Sequence, residues 1–230
     1  MIDIAGNWQH IRSRVAQAAQ RAGRDPESVR IIAVSKTKPV ELIQQAIAAG
    51  ATDIGENYVQ EAAEKIARCP APARWHLIGH LQRNKAARAV ELFETIHTVD
   101  SVALADALTR HAERRGKSLR VLIEVNIGGE TTKHGVDPAQ VQSLLASLGN
   151  RGALLIDGLM TIPPPGPAAE SVRRHFRALR ELRDRVQAAA PPNAPLQELS
   201  MGMTDDFEVA IEEGATMVRI GRGIFGERET

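Results

Sequence analysis

Eight times along this chain a short apolar run gives way to a stretch with helical spacing, and that alternation leaves few folds open. The runs fall at residues 31–35, 53–55, 74–79, 95–100, 119–127, 153–162, 196–202 and 215–223. Ile31, Ile32, Ala33 and Val34 show no polar alternation, so both faces of that strand are buried, as in a parallel sheet. Helices are predicted over 40–49, through Val59, Ala62, Ala63 and Ile66, and over 84–93, 101–115, 138–148 and 168–189, with another starting near Thr204. Gly50 stops the first of these, Ser101 is placed to cap the fourth, and Pro138 sits in a first turn. Ahead of them all, residues 3–23 read as an amphipathic helix with Ile4, Trp8, Ile11 and Val15 on one face and Gly23 at its end. Eight strand–helix units without a long linker predict a closed (β/α)8 barrel, an α/β fold of the TIM type, over residues 31–226. The N-terminal helix is extra, and residues 1–230 are expected to form a single domain. A doubly wound open sheet would need fewer units. The proline-rich runs at 163–167 and 191–195 are loops within the pattern.

Bulk properties exclude several classes. Net charge is +1 and aromatic content 3%, which argues against a nucleic-acid surface or a base-stacking platform. No stretch is apolar enough to span a bilayer, and the N-terminus lacks the apolar core of a secretion signal. Cys69 is the only cysteine, so an intrachain disulfide is impossible, and the expected setting is a reducing cytoplasm. His76 and His80 are four apart but fall across a strand and a loop, so no metal site is expected. The basic helix at 173–185 carries an apolar stripe through Phe176, Leu179, Leu182 and Val186 and reads as a solvated barrel helix. Cys69 reads as structural.

Chemistry in such a barrel belongs at the C-terminal ends of the strands. Polar residues gather there: Lys36 after the first strand, Glu56 and Asn57 after the second, Gly79 and His80 after the third, Asn126 after the fifth, Met160 and Thr161 after the sixth. Ser200, Met201 and Gly202 end the seventh, and Arg219, Gly221, Arg222 and Gly223 the eighth. Lys36 closes a buried strand, where partial desolvation lowers an amine's pKa and favours attack on a carbonyl; the bland alternative is a lysine whose stem reaches solvent. LSMGMTDD offers a hydroxyl and a glycine before a helix, and RIGRGIFG exposes backbone N–H groups, the two places where barrels build phosphate sites. A phosphate site bridged to Lys36 suggests a phosphorylated aldehyde such as pyridoxal phosphate. Met217, Arg219 and Gly221 share a strand face; if it is the inner one, Arg219 can point at the cofactor's pyridine nitrogen, and if not, Glu212 or Glu213 can pair with it.

The blocks AVSKTKP, IGENYVQE, WHLIGHLQRNK, VNIGGETTKHGV, GLMTIPP, LSMGMTDDFEVAI and RIGRGIFGER resemble, in order and over nearly the whole chain, those of the pyridoxal-phosphate homeostasis proteins. These are stand-alone barrels similar to the N-terminal domain of alanine racemase. The resemblance implies pyridoxal 5′-phosphate held as a Schiff base on Lys36, with Asn57 nearby. It implies that Ser200 and backbone amides around Gly202, Gly221 and Arg222 hold the phosphate, and that Arg219 faces the ring nitrogen. His80 and Met201 are implied pocket residues. Arg222 stands where many relatives have Thr or Ser, so a hydroxyl ligand is missing there.

The resemblance also implies a role in vitamin B6 balance, as a non-catalytic carrier whose recipients would be apo-enzymes that depend on the cofactor. The alternative is an amino-acid racemase of low activity. Racemisation needs acid–base groups on both faces of the cofactor. In alanine racemase one is a tyrosine from a second domain, for which this chain has no room; its single tyrosine is Tyr58. Rival bases are His80, Lys133 and His134, the last two in a loop expected to be polar and mobile. A monomer is expected.

Overall fold

The computed structural model describes residues 2–69, 71–130, 133–164, 166 and 168–227. Eight parallel strands close into a barrel in sequence order: β1 (Arg30–Val34), β2 (Asp53–Glu56), β3 (Arg74–Leu77), β4 (Thr95–Val99), β5 (Leu119–Glu124), β6 (Leu154–Met160), β7 (Glu198–Met203) and β8 (Met217–Ile220). Closure is made by β8 against β1, with Arg219 opposite Ile32. The outer ring contains α2 (Val40–Ala48), α3 (Val59–Arg68), α4 (Ala86–Leu92), α5 (Val102–Arg114), α6 (Val141–Leu148), α7 (Arg173–Gln187) and α8 (Phe207–Glu212). The last of these starts later than the sequence suggests, because Thr204 to Asp206 form a turn in which the Asp206 carboxylate accepts from the Met203 amide at 2.6 Å.

The N-terminal helix α1 (Ile4–Arg21) completes that ring. The helix after β8, α9 (Arg222–Phe225), has only four residues and leaves the eighth outer position uncovered. α1 packs there, against α8, α9 and α2. Asp3 caps it by accepting from the Gly6 amide at 2.8 Å, and Ile4, Trp8, Ile11, Val15, Ala18 and Ala19 are buried beneath it. Asn7 donates to the Ile224 carbonyl at 3.0 Å, and Arg24 to the carbonyls of Ile211 and Ala215 at 2.9 and 2.8 Å. Burying one large aliphatic chain stabilises by about 1.5–3 kcal/mol, so α1 is integral to the barrel wall.

Apolar side chains on the outer face of the sheet form the main core with the helices. Inside the barrel a small cluster of Ile32, Leu122, Met160 and Met217 is sealed from it. Much of the remaining interior is polar: Asp53, His76, His97, Ser200 and Arg219 are all buried and bonded to one another. No helix among the described residues is long and apolar enough to cross a membrane.

Candidate functional site

Lys36 lies just past β1, on the inward parity of Ile32 and Val34, in a tight turn closed by the Lys38 amide donating to the Ser35 carbonyl at 3.0 Å. Thr37 takes a left-handed conformation, φ 64°, which costs a residue with a Cβ about 1 kcal/mol. Its neighbours hold it there. The Thr37 amide donates to Glu61 at 2.6 Å. The buried Lys65 ammonium donates to the Ser35 carbonyl, to Glu56 and to Glu61 at 2.6, 2.7 and 2.6 Å. The Ser35 hydroxyl donates to the same Glu56 oxygen at 2.5 Å. Burial raises the Glu56 carboxyl above its ordinary range, against the pull of Lys65 and Ser35. The lysine turn is therefore fixed by a buried ion cluster. Pro39 then leads directly into α2.

A cavity of about 560 Å³ opens over this turn, lined by Lys36, Asn57, Thr204, Arg219, Gly221 and Arg222 among others. Arg219 enters from β8, the strand beside β1, and is only 3% exposed. Its guanidinium donates to the Ser200 hydroxyl at 2.6 Å and the Thr161 carbonyl at 2.8 Å. Burial lowers its pKa to about 10, with Asp206 and Glu124 opposing, so it is a cation at neutral pH. Glu212 and Glu213 pair with Arg21, Arg173, Arg177 and Arg180 on the outside instead. At the rim, Thr204 accepts from the Gly223 amide at 3.4 Å. Arg222 is bonded to Asp205 and, at 3.3 Å, to Glu227. Lys38 donates to the Glu227 carbonyl at 2.6 Å.

Three residues expected in the pocket, Ser200, Met201 and His80, are placed elsewhere, and Gly202 immediately precedes two residues that line it, Met203 and Thr204. Ser200 is fully buried one layer deeper, its hydroxyl shared by Arg219 and, at 3.0 Å, by His97. β7 runs on to Met203, which makes Thr204 the hydroxyl at the strand's end. Met201 faces outward into the main core. Gly202, at φ +91°, lies against α8, where a Cβ would come within 2.5 Å of Ala210. His80 lines a neighbouring groove with Asn57 and Tyr58, its ring stacked on His134 at 3.7 Å. His80, Asp100 and His134 bring ligand-type atoms within 4.8 Å of one another at this exposed rim. Parallel stacking leaves the two imidazoles poorly aimed at a shared ion, which in a zinc site sits about 2.0–2.1 Å from each nitrogen. Lys133 is paired with Glu130 at 2.5 Å; Thr131 and Thr132 lie outside the described residues.

Two further groups have no counterpart in the sequence reading. Lys65 and Glu61 lie one turn apart on α3 and read there as an ordinary helical ion pair. Glu124 ends β5 with one carboxylate oxygen buried and unbonded, and burial together with Asp100 raises its carboxyl to about 7 against the pull of Arg219.

The alanine racemase N-terminal domain model matches residues 7–229. A pyridoxal phosphate homeostasis protein of Vibrio alginolyticus is 42% identical over 234 residues, covering 100% of this chain and 99% of its own. Among solved structures, an unknown protein from Bifidobacterium adolescentis is 39% identical with a TM-score of 0.89, over 96% of this chain and 94% of its own. PipY of Synechococcus elongatus, solved with PLP bound, is 42% identical with a TM-score of 0.82, over 94% of this chain and 100% of its own. With full-length identity of this order on the same barrel, the chain belongs to the alanine racemase N-terminal domain family and, within it, to the pyridoxal phosphate homeostasis proteins.

Proposed function

We propose that this chain binds pyridoxal 5′-phosphate through a reversible covalent link to the Lys36 amine and serves in its homeostasis as a carrier rather than a catalyst. The observation that carries the reading is the convergence of Lys36 and the buried Arg219 cation, from adjoining strands, on one cavity. The donor set fits the cofactor. A primary amine suits the aldehyde, the Thr204 hydroxyl and the backbone at Gly221 suit the phosphate, and about 560 Å³ is room enough for a ligand of this size. Arg222 adds charge at the same rim, shared with Asp205 and Glu227.

When bound, the group supplies an aldehyde that condenses reversibly with amines and a ring that withdraws electrons. Set toward the ring nitrogen, Arg219 disfavours its protonation and so weakens that electron sink. Tyr58, the single tyrosine, is 62% exposed and lines the neighbouring groove rather than this cavity. Holding the aldehyde without turning it over buffers it and leaves it available to apo-enzymes that need it. One observation favours the low-activity racemase as a second reading: Glu124, with a carboxyl near 7 inside the barrel, is a group able to exchange protons at neutral pH.

The deciding experiment is an absorbance spectrum of the protein saturated with the cofactor, beside that of Lys36→Ala. A near-visible band that borohydride removes, present in the first and lost in the second, is expected. Its absence in the unmutated protein, or full retention in the variant, overturns the assignment. Turnover assays with D- and L-amino acids then separate carrier from racemase. Turnover that Glu124→Gln abolishes would establish the second reading.

A further inference from the structure

We propose that Asp53, His76, His97 and Ser200 form a one-way chain of hydrogen bonds through the barrel that positions Arg219 beneath the cofactor cavity. The functional part of this inference rests on the pyridoxal phosphate reading; the hydrogen-bond order does not. The contacts run Arg219 to Ser200 at 2.6 Å, Ser200 to His97 Nδ1 at 3.0 Å, His97 Nε2 to His76 Nδ1 at 3.0 Å, and His76 Nε2 to Asp53 at 2.9 Å. Ser200 on β7 and His97 on β4 are three strands apart in the closed order, so their contact crosses the lumen. All five residues are at most 3% exposed.

The direction of every bond follows from the two ends. A guanidinium only donates and an ionised carboxylate only accepts. Burial would raise the Asp53 carboxyl, but hydrogen bonds from His76, Arg74 and Thr52 more than reverse this and hold it well below the usual carboxylate range. Burial, with the Arg219 charge adding to it, pushes His97 well below its ordinary value, so its ring is neutral. Between these ends one arrangement satisfies every group. Arg219 donates to Ser200, Ser200 to His97 Nδ1, His97 Nε2–H to His76 Nδ1, and His76 Nε2–H to Asp53. Both histidines are then neutral and carry their proton on Nε2. Were either histidine to donate from Nδ1 instead, the Ser200 hydroxyl would accept twice and its proton would have no partner in the chain.

The far end is anchored outside the cavity. Arg74 grips Asp53 through two hydrogen bonds, at 2.8 and 2.6 Å, and Arg30 approaches it at 3.9 Å from the N-terminal end of the barrel. Arg219 has two fixed acceptors, Ser200 and the Thr161 carbonyl, and the chain orients the first of them. Ser200, His97, His76 and Asp53 are thus positioning residues: they act on the cofactor through Arg219.

Two measurements on the full chain test this. Nitrogen-15 spectra of the histidine rings, recorded without cofactor, are expected to show His76 and His97 as neutral Nε2–H tautomers. An Nδ1–H tautomer or a cationic ring at either position at neutral pH overturns the bond order, whatever the protein binds. Affinities of Ser200→Ala for pyridoxal phosphate and for phosphate-free pyridoxal are the second. Loss of the acceptor under Arg219 is expected to weaken both ligands alike, by about 5- to 10-fold. His97→Leu should do the same, and His97→Asn, which returns an acceptor to the Nδ1 position, should recover to within about 2-fold. Weakening of pyridoxal phosphate alone would make Ser200 a phosphate ligand and sink the positioning role. So would unchanged affinity for both. Failure of the unmutated protein to bind either ligand would defeat the functional reading and leave the tautomer result standing.

Discussion

Lys65 on α3 donates to the carbonyl of Ser35, the residue immediately before Lys36, at 2.6 Å. The same ammonium neutralises Glu56, whose side chain is fully buried, and grips Glu61, which in turn holds the strained Thr37. Removing one partner of a buried ion pair leaves the other charge without compensation, which costs about 3–5 kcal/mol. Lys65→Met should lower unfolding stability by that amount and, with Lys36 as the proposed point of attachment, weaken retention of pyridoxal phosphate. Lys65→Met with Glu56→Gln should regain more than half of the stability, because the fully buried charge is gone and the one left, on Glu61, is partly exposed. Denaturant titrations of the single and double variants check this; a double variant no more stable than the single one would show that the cluster does not act as a unit.

Glu124 makes stability depend on pH in an unusual direction. Its carboxyl is raised to about 7 in the fold, from an ordinary value near 4.5, chiefly by burial. Between those two values the folded state holds the proton more tightly than the unfolded chain does. Its contribution is therefore complete below the lower value and is lost as pH rises through the upper one. Glu124→Gln keeps the shape without the charge. Relative to the unmutated protein it should gain about 1–3 kcal/mol at pH 8 and nearly nothing at pH 4. Melting temperatures of the pair across that interval decide it, and a constant difference would place Glu124 outside this argument.

Thr204 and Ser200 show where a strand's end is legible and where depth is not. Lys36 was readable because an apolar run stops and a turn begins, and such boundaries are local. Ser200 and Thr204 share the same inward parity, and alternation alone does not say which of them reaches the rim. That depends on the stagger of β7, which the chain's partners set: Ser200 pairs with Met217 and Met203 with Arg219, with a register shift between. His76 and His97 were equally hidden. Each sits inside an apolar run, and their partners come from 21 to 103 residues away. The eightfold repeat gave the barrel, and the segment at 3–23 gave α1, but its place as the eighth outer helix follows only from how short α9 is.

The rim assignment predicts a ligand-selective loss. Thr204→Val removes a hydroxyl and preserves size. It should weaken pyridoxal phosphate by about 3- to 10-fold, the worth of one hydrogen bond to a charged group, and leave pyridoxal unchanged. Equal losses for both ligands in parallel titrations would move the phosphate away from Thr204.

Gly79 is held to glycine by Asn57. A Cβ at position 79 would lie 2.4 Å from the Asn57 carbonyl oxygen and 2.8 Å from its Cα, both backbone atoms with no side-chain freedom to yield. The Gly79 carbonyl is also fixed, accepting from the Thr98 hydroxyl at 2.8 Å, so the Asn57 segment has to give way. That segment joins β2 to α3 and carries Asn57 into the cavity wall. Gly79→Ala should therefore cost about 1–3 kcal/mol of stability, as overpacking does, and also displace Asn57 from the cavity. Asn57→Ala supplies the comparison. If Asn57 contacts the cofactor, Gly79→Ala should weaken binding as much as Asn57→Ala does, and the double variant should add little to either. Full additivity in a cycle of binding constants would mean that the two residues act independently, and that the close approach matters for folding alone.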